Sequence, residues 1–216
     1  MRFVELSHPI RQGMVTYPGL PGPEIGDHLS WEESRERYSP GTEFRIARIS
    51  MIANTGTYLD TPAHRYREGW GLAELPLERV AAVSGVVVDA SGPPVGPEVF
   101  DAVDVLGRAV LVRTGWSRHW ATERYGAPDH PYLTASAAEA LLTNGATVVG
   151  IDSVNIDGTA TGERPAHSAL LAAGIPIVEH LVHLDQLPPE GFQFFAVPPA
   201  IEDMGTFPVR AFAIVP

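Results

Sequence analysis

Eight short apolar or alternating runs are distributed along this chain: FVEL (3–6), EFRIARISMIA (43–53), GVVVDA (85–90), AVLVRT (109–114), TVVGID (147–152), IPIVEH (175–180), FQFFAV (192–197) and VRAFAIV (209–215). Their length and patterning predict strands. The 20 prolines and 21 glycines are spread throughout instead of forming one tract, and such punctuation joins many short elements by tight turns. Two segments have helical spacing instead. TASAAEALLTNG (134–145) has Thr134 as N-cap, a Ser136/Glu139 pair in capping-box spacing and Gly145 as its stop, and AHSALLAAG (166–174) also ends at a glycine. Helix and strand therefore alternate over 134–180, which predicts an α/β fold with an extensive sheet and a few covering helices.

No repeat, low-complexity tract or composition shift marks a linker, so residues 1–216 are expected to form a single domain. Within it, 14–40 is a long excursion rich in turn signals, of the kind that serves as a lid or a dimer arm. The excluded chemistries are informative. The sequence contains no Cys, and all 15 basic residues are Arg. Thiolate nucleophiles, thiolate metal sites, disulfides, Schiff-base lysines and the P-loop lysine are thus all absent. A net charge of -11 argues against a nucleic-acid partner. No apolar run approaches the roughly 20 residues of a membrane span, and MRFVELSHPI lacks the pattern of a signal peptide, so the expected location is cytoplasmic.

Of eight histidines, two stand near carboxylates in telling places. His64 follows Asp60 by four residues and Pro62 by two, and His167 opens the helix 166–174. Glu179 closes the apolar strand IPIV, where a carboxylate is costly unless paired or metal-bound. Asp60, His64, His167 and Glu179 together form an N/O donor set suited to Zn or Mn, and the same residues are equally the makings of a buried salt-bridge network. Ser117, Asp152 and His167 occur in the chain order of an α/β-hydrolase triad, but His119 occupies the place where a nucleophile elbow needs glycine. Ser117 reads instead as a helix N-cap before RHWATERY.

The line NTGTYLDTPAH (54–64) resembles the signature H-x-G-T-H-x-D-x-P-x-H of the putative cyclase family, which includes bacterial kynurenine formamidase and isatin hydrolase, at Gly56, Thr57, Asp60, Pro62 and His64. Further similar blocks lie at ELSHPIRQGMVTYPG, GIDSVNID, HSALLAAGIPIVEHLVHLDQL and PPAIEDMGTFPVRAFAIV. The resemblance implies a swivelling β/β/α fold, hydrolysis of an amide or related bond of a small molecule by metal-activated water, and a homodimer or higher oligomer. It makes Asp60 and Glu179 metal-bridging carboxylates, His64 the proton donor and acceptor, His167 a ligand of the second metal, and Tyr17 an aromatic that packs on substrate. Trp31, on the arm, would reach substrate in a neighbouring copy.

The chain departs from the signature at Asn54 and Tyr58, which replace its two leading histidines. A tyrosine ligates well only as phenolate, which its pKa of about 10 disfavours. One divalent metal at Asp60, His64, His167 and Glu179 is therefore expected, with Tyr58 and Asn54 facing the substrate as oxyanion donors. Two other readings stay open: a metal-free acid–base lyase or cyclase run by Tyr58, Asp60, His64 and Glu179, with His180 and His183 as further candidates, and a non-catalytic small-molecule-binding relative.

Overall fold

The computed structural model describes residues 1–216. Its centre is a nine-stranded mixed sheet. Four strands lie side by side and parallel: β5 (Val83–Asp89), β6 (Ala109–Arg113), β7 (Val148–Ile151) and β8 (Ile177–Glu179). The other five are antiparallel to their neighbours. On one flank β9 (Glu190–Phe195), β11 (Phe212–Val215) and β1 (Arg2–Glu5) follow β5 in turn; on the other, β4 (Tyr58–Asp60) and β10 (Thr206–Pro208) follow β8.

The apolar runs of the central strands follow from burial on both faces. Along β6, Ala109 and Leu111 point into one core while Val110 and Val112 point into another. The second core is covered by α2 (Ala135–Thr143) and α3 (Pro165–Ala172), which bring Ala137, Ala138, Leu141, Leu170 and Leu171 onto the sheet. In the first core, Val4 of β1 and Ala213 of β11 meet Leu59 of β4 and Val178 of β8. Strands from opposite flanks share one cluster because the sheet curls on itself, and that curl places the short strand β4 at its closed side.

Thr134 caps α2 as expected, accepting from the Ala137 amide at 3.1 Å. The Ser136/Glu139 box does not form; Ser136 instead lies 3.0 Å from the Thr134 hydroxyl. A true capping box is found at Ser30 and Glu33, ahead of α1 (Trp31–Arg35), where the sequence reading placed only a loop. The run 43–53 does contain a strand, β3 (Ile46–Ser50), but it pairs with β2 (Glu24–Leu29) in a separate ribbon and not in the main sheet. This ribbon leaves Ile25, Ile46 and Ile49 exposed. Ser117 is no helix cap, since the chain makes only a 3-10 turn over Trp116–His119. No helix is long and apolar enough to cross a membrane.

Candidate active site

The site is built from the alternation of β4. Successive side chains on a strand point to opposite faces, so Leu59 enters the core while Tyr58 and Asp60 share the other face. Directly across the ladder, Tyr58 pairs with Glu179 of β8 and Asp60 with Thr206 of β10. These cross-strand neighbours are also hydrogen-bond partners. The Tyr58 hydroxyl donates to Glu179 Oε2 at 2.5 Å, and the Thr206 hydroxyl donates to Asp60 Oδ1 at 2.5 Å. After β4 the chain enters a 3-10 turn at Pro62–His64, pinned by the Thr61 amide and hydroxyl on the Gly205 carbonyl. A β-carbon at 205 would overlap the backbone of Ala63 and His64, so glycine is what allows this turn to seat. His64 is thereby delivered to Thr206, with Nδ1 at 2.6 Å from its hydroxyl oxygen.

That geometry sets the tautomer of His64. A threonine hydroxyl has one proton, and here it goes to the Asp60 carboxylate. His64 must therefore carry its proton on Nδ1 and donate it to the same oxygen, which leaves Nε2 as the basic atom. A second relay orients His167. Asp157, in the loop after β7, accepts from the Ala166 and His167 amides at 2.7 and 3.0 Å and from His167 Nδ1 at 2.7 Å. It caps α3 from a distance, while the residue at the cap position, Arg164, makes no side-chain cap bond.

With Nδ1 committed, His167 turns Nε2 toward Asp60 Oδ2 at 3.6 Å and Glu179 Oε1 at 3.7 Å. Asp60 Oδ2 is buried and has no hydrogen-bond partner. An imidazole lone pair facing two carboxylate oxygens without a proton is repulsive, so a proton or a cation belongs between them. In the metal-free chain the proton wins. Burial alone would lower the His167 pKa, but its contacts with Asp157 and Asp60 and the charge of Glu179 raise it to about 10. Burial also raises Glu179 to about 7, against the pull of His167.

A divalent cation fits the same place. Asp60, His64 and His167 offer ligand atoms all within 4.8 Å of one another, and the set is borderline N/O, as Zn or Mn prefers. Glu179 lies outside that mutual spacing, and both its oxygens accept protein donors, Oε2 from Tyr58 and Oε1 from the Ile156 amide at 2.6 Å. Each still has a lone pair to offer.

These groups open on a cavity of about 240 Å³ whose lining includes Tyr17, Asn54, Tyr58, His64, His167 and Glu179. Tyr17 shows its ring to this space and ties down its hydroxyl, which donates to the Val154 carbonyl and accepts from Asn155 Nδ2 at 2.7 Å. Tyr58 departs from expectation. It is fully buried, its one proton is given to Glu179, and burial together with the Glu179 charge raises its pKa well above the usual value. It is therefore a neutral donor already in use and not a free oxyanion ligand. Asn54 remains as the amide facing the cavity. Trp31 is not in the lining, because the capping box starts α1 so that this residue is 44% exposed.

His180 belongs to a buried aromatic group behind the site, with Nδ1 2.8 Å from the Tyr125 hydroxyl, and burial holds it neutral. His183 is exposed and bound to the Glu5 carbonyl. The triad reading of Ser117, Asp152 and His167 has no geometry behind it, since Asp152 is occupied by Thr114 and the Gly115 amide. Sequence reasoning assigned no role to Asp157 or Thr206. Each had a trace, Asp157 in the block GIDSVNID and Thr206 in PPAIEDMGTFPVRAFAIV, but only pairing with β4 gives Thr206 its role.

Residues 4–158 match the family described as Putative cyclase. Kynurenine formamidase of Salinibacter ruber is 28% identical over 219 residues, taking in 98% of this chain and 96% of that protein. Isatin hydrolase A from Labrenzia aggregata has the same fold, with a TM-score of 0.84 at 24% identity over 99% of this chain and 93% of that one. A Bacillus stearothermophilus protein described as a predicted metal-dependent hydrolase has a TM-score of 0.76 at 25% identity, over 98% and 97% of the two chains.

Proposed function

The chain belongs to the Putative cyclase family of arylformamidase-like hydrolases, and from that premise we propose that it hydrolyses an amide or related C–N or C–O bond of a small aromatic molecule. The observation that carries this reading is the convergence of Asp60, His64 and His167, with an orphaned buried oxygen on Asp60, beside a cavity that both histidines line. Asp60 and His167 would hold one Zn or Mn ion, with Glu179 beside them; bound there, the ion supplies Lewis acidity toward the substrate carbonyl and lowers the pKa of a water.

The chain's own residues do the rest. Asp157 keeps the His167 tautomer that exposes Nε2, and Thr206 keeps that of His64. His64 Nε2 takes a proton as the water oxygen bonds to the carbonyl carbon, and returns it to the departing nitrogen as the C–N bond breaks. Tyr17 supplies an apolar wall for a ring, and Asn54 an amide for the developing oxyanion.

The test is elemental analysis of tag-free protein after Zn or Mn supplementation, together with formanilide hydrolysis. About one ion per chain is expected, and His64→Ala should lower kcat roughly 10²- to 10⁴-fold while retaining most of the ion. Negligible metal content with unaltered turnover would sink the metal mechanism. Partnership with a second copy completes the reading. The exposed Ile25, Ile46 and Ile49 of the ribbon and Trp31 of α1 support a homodimer or higher oligomer, since a two-stranded ribbon is marginal alone; sedimentation velocity decides it.

A further inference from the structure

Three histidines are buried: His167 at the reacting centre, His180 in the aromatic group behind it, and His130, which is absent from the cavity lining. The His130 ring spans the loop that follows β7. Its Nδ1 lies 3.0 Å from the Pro131 carbonyl and 3.2 Å from Ser153 Oγ, and its Nε2 lies 3.3 Å from Thr159 Oγ1. A carbonyl can only accept, so Nδ1 carries the proton, and the Ser153 oxygen shares it. Nε2 is then a lone pair to which the Thr159 hydroxyl donates. Burial holds this imidazole below the ordinary histidine value, and the neutral ring is the form that the pattern needs.

The residues between those two contacts hold the site. The Val154 carbonyl and Asn155 Nδ2 fix the Tyr17 hydroxyl, the Ile156 amide donates to Glu179 Oε1 at 2.6 Å, and Asp157 aims His167. No helix or strand covers 153–159, so individual contacts have to define its path. Asn155 Oδ1 accepts from the Asp157 amide at 2.9 Å, and the Leu133 amide donates to the Ile156 carbonyl at 2.8 Å. The Tyr132 ring packs on Gly158, where a β-carbon would stand only 3.0 Å from it. Residues 130–133 thus run along the loop as a splint, and His130 grips it at both ends. The grip matters because a misplacement of about 1 Å at a reacting centre can cost roughly 10²-fold in rate.

Resting on the hydrolase reading above, we propose that His130 is a positioning residue for the reaction: by strapping Ser153 to Thr159 it fixes the loop from which Asp157 aims His167 and Ile156 holds Glu179. It touches neither substrate nor reacting atoms and acts through these two residues.

The experiment sets His130→Phe, which keeps a ring and removes both nitrogens, and Thr159→Val, which cuts one end, against Phe194→Leu, a truncation in the first core, whereas Ile156 belongs to the second. Zn affinity is measured by chelator competition and kcat on formanilide, at a temperature where each variant is folded. His130→Phe should lower both roughly tenfold and Thr159→Val roughly threefold; Phe194→Leu should lower stability and neither of these. If His130→Phe does not fold, Thr159→Val carries the same readouts. In metal-free protein the Ile156 and His167 amides should exchange roughly tenfold faster in His130→Phe, relative to those of β6. Added to Asp157→Asn, His130→Phe should cost less Zn affinity than it does alone, because the two act in part through one carboxylate. Unmoved affinity and kcat, equal losses in Phe194→Leu, additive losses with Asp157→Asn, or exchange that quickens evenly over the sheet would each make His130 a purely structural residue and overturn the proposal. If no form turns over formanilide, the hydrolase reading fails by itself, and amide exchange, which needs neither substrate nor ion, still decides the strap.

Discussion

Two carboxylates on one face of the sheet, each fully buried, are treated in opposite ways. Glu179 has both oxygens satisfied by protein donors, the Tyr58 hydroxyl and the Ile156 amide. Asp60 has one oxygen satisfied by Thr206 and the other left without a partner against His167. Burying a polar atom without a partner costs about 1–3 kcal/mol, so the fold carries a deficit at Asp60 that it avoids at Glu179 next door. A deficit of this kind persists where something outside the chain fills it. The protein thus separates a carboxylate that holds the architecture from one that awaits a cation, and the tyrosine at position 58 is what makes the difference.

The strongest way to break that contrast is Asp60→Asn, which removes the charge and supplies a donor to the vacant direction. It should abolish metal retention and lower aryl formamide hydrolysis by roughly 10³-fold, read by elemental analysis and kcat/KM. Retention of a full complement of metal would mean that Glu179, not Asp60, is the receptive carboxylate. Asp157→Asn loosens the orientation of His167 without touching Asp60, and metal affinity should fall roughly 10- to 100-fold in a competition titration with a chelator. Tyr58→Phe makes Glu179 resemble Asp60 by leaving Oε2 unpaired. We expect it to cost about 1–3 kcal/mol in denaturant unfolding of the metal-free protein and to lose less when a cation is present; an unaltered stability would show that Glu179 does not depend on this donor.

The smallest effect is a pH dependence. Glu179 and His167 both have folded values, about 7 and about 10, above their ordinary ones of 4.5 and 6.5. Each therefore stabilises the metal-free fold while protonated. The contribution of Glu179 fades between pH 4.5 and about 7, and that of His167 between 6.5 and about 10. The metal-free Tm should accordingly fall from pH 5.5 to pH 9, and the cation-loaded protein, in which the ion replaces those protons, should show a weaker fall or none. Parallel curves for the two forms would count against a cation at His167.

Much of the fold was legible because the central strands are buried on both faces, and runs such as AVLVRT and TVVGID allow little else. Strands β4 and β10, at three residues each, are too short to show a period, so the sequence could name Asp60 and His64 without showing that they lie across from Thr206. Run 43–53 was legible as a strand but not as part of a detached ribbon, because its alternation has no core to face. Asn54 and Tyr58 were visible as departures from a signature. That the Tyr58 proton would be spent on Glu179 depended on a register, and register is a property of two strands at once.

Asp157 joins two equilibria that are usually separate. The same carboxylate ends the frayed amides of α3 and aims His167, so the first turn of that helix and the receptive imidazole open and close as one cooperative unit. Solvent exchange of the Ala166 and His167 amides then becomes a local gauge of ligand occupancy: whatever tightens the grip on His167 slows the breathing of the helix that bears it.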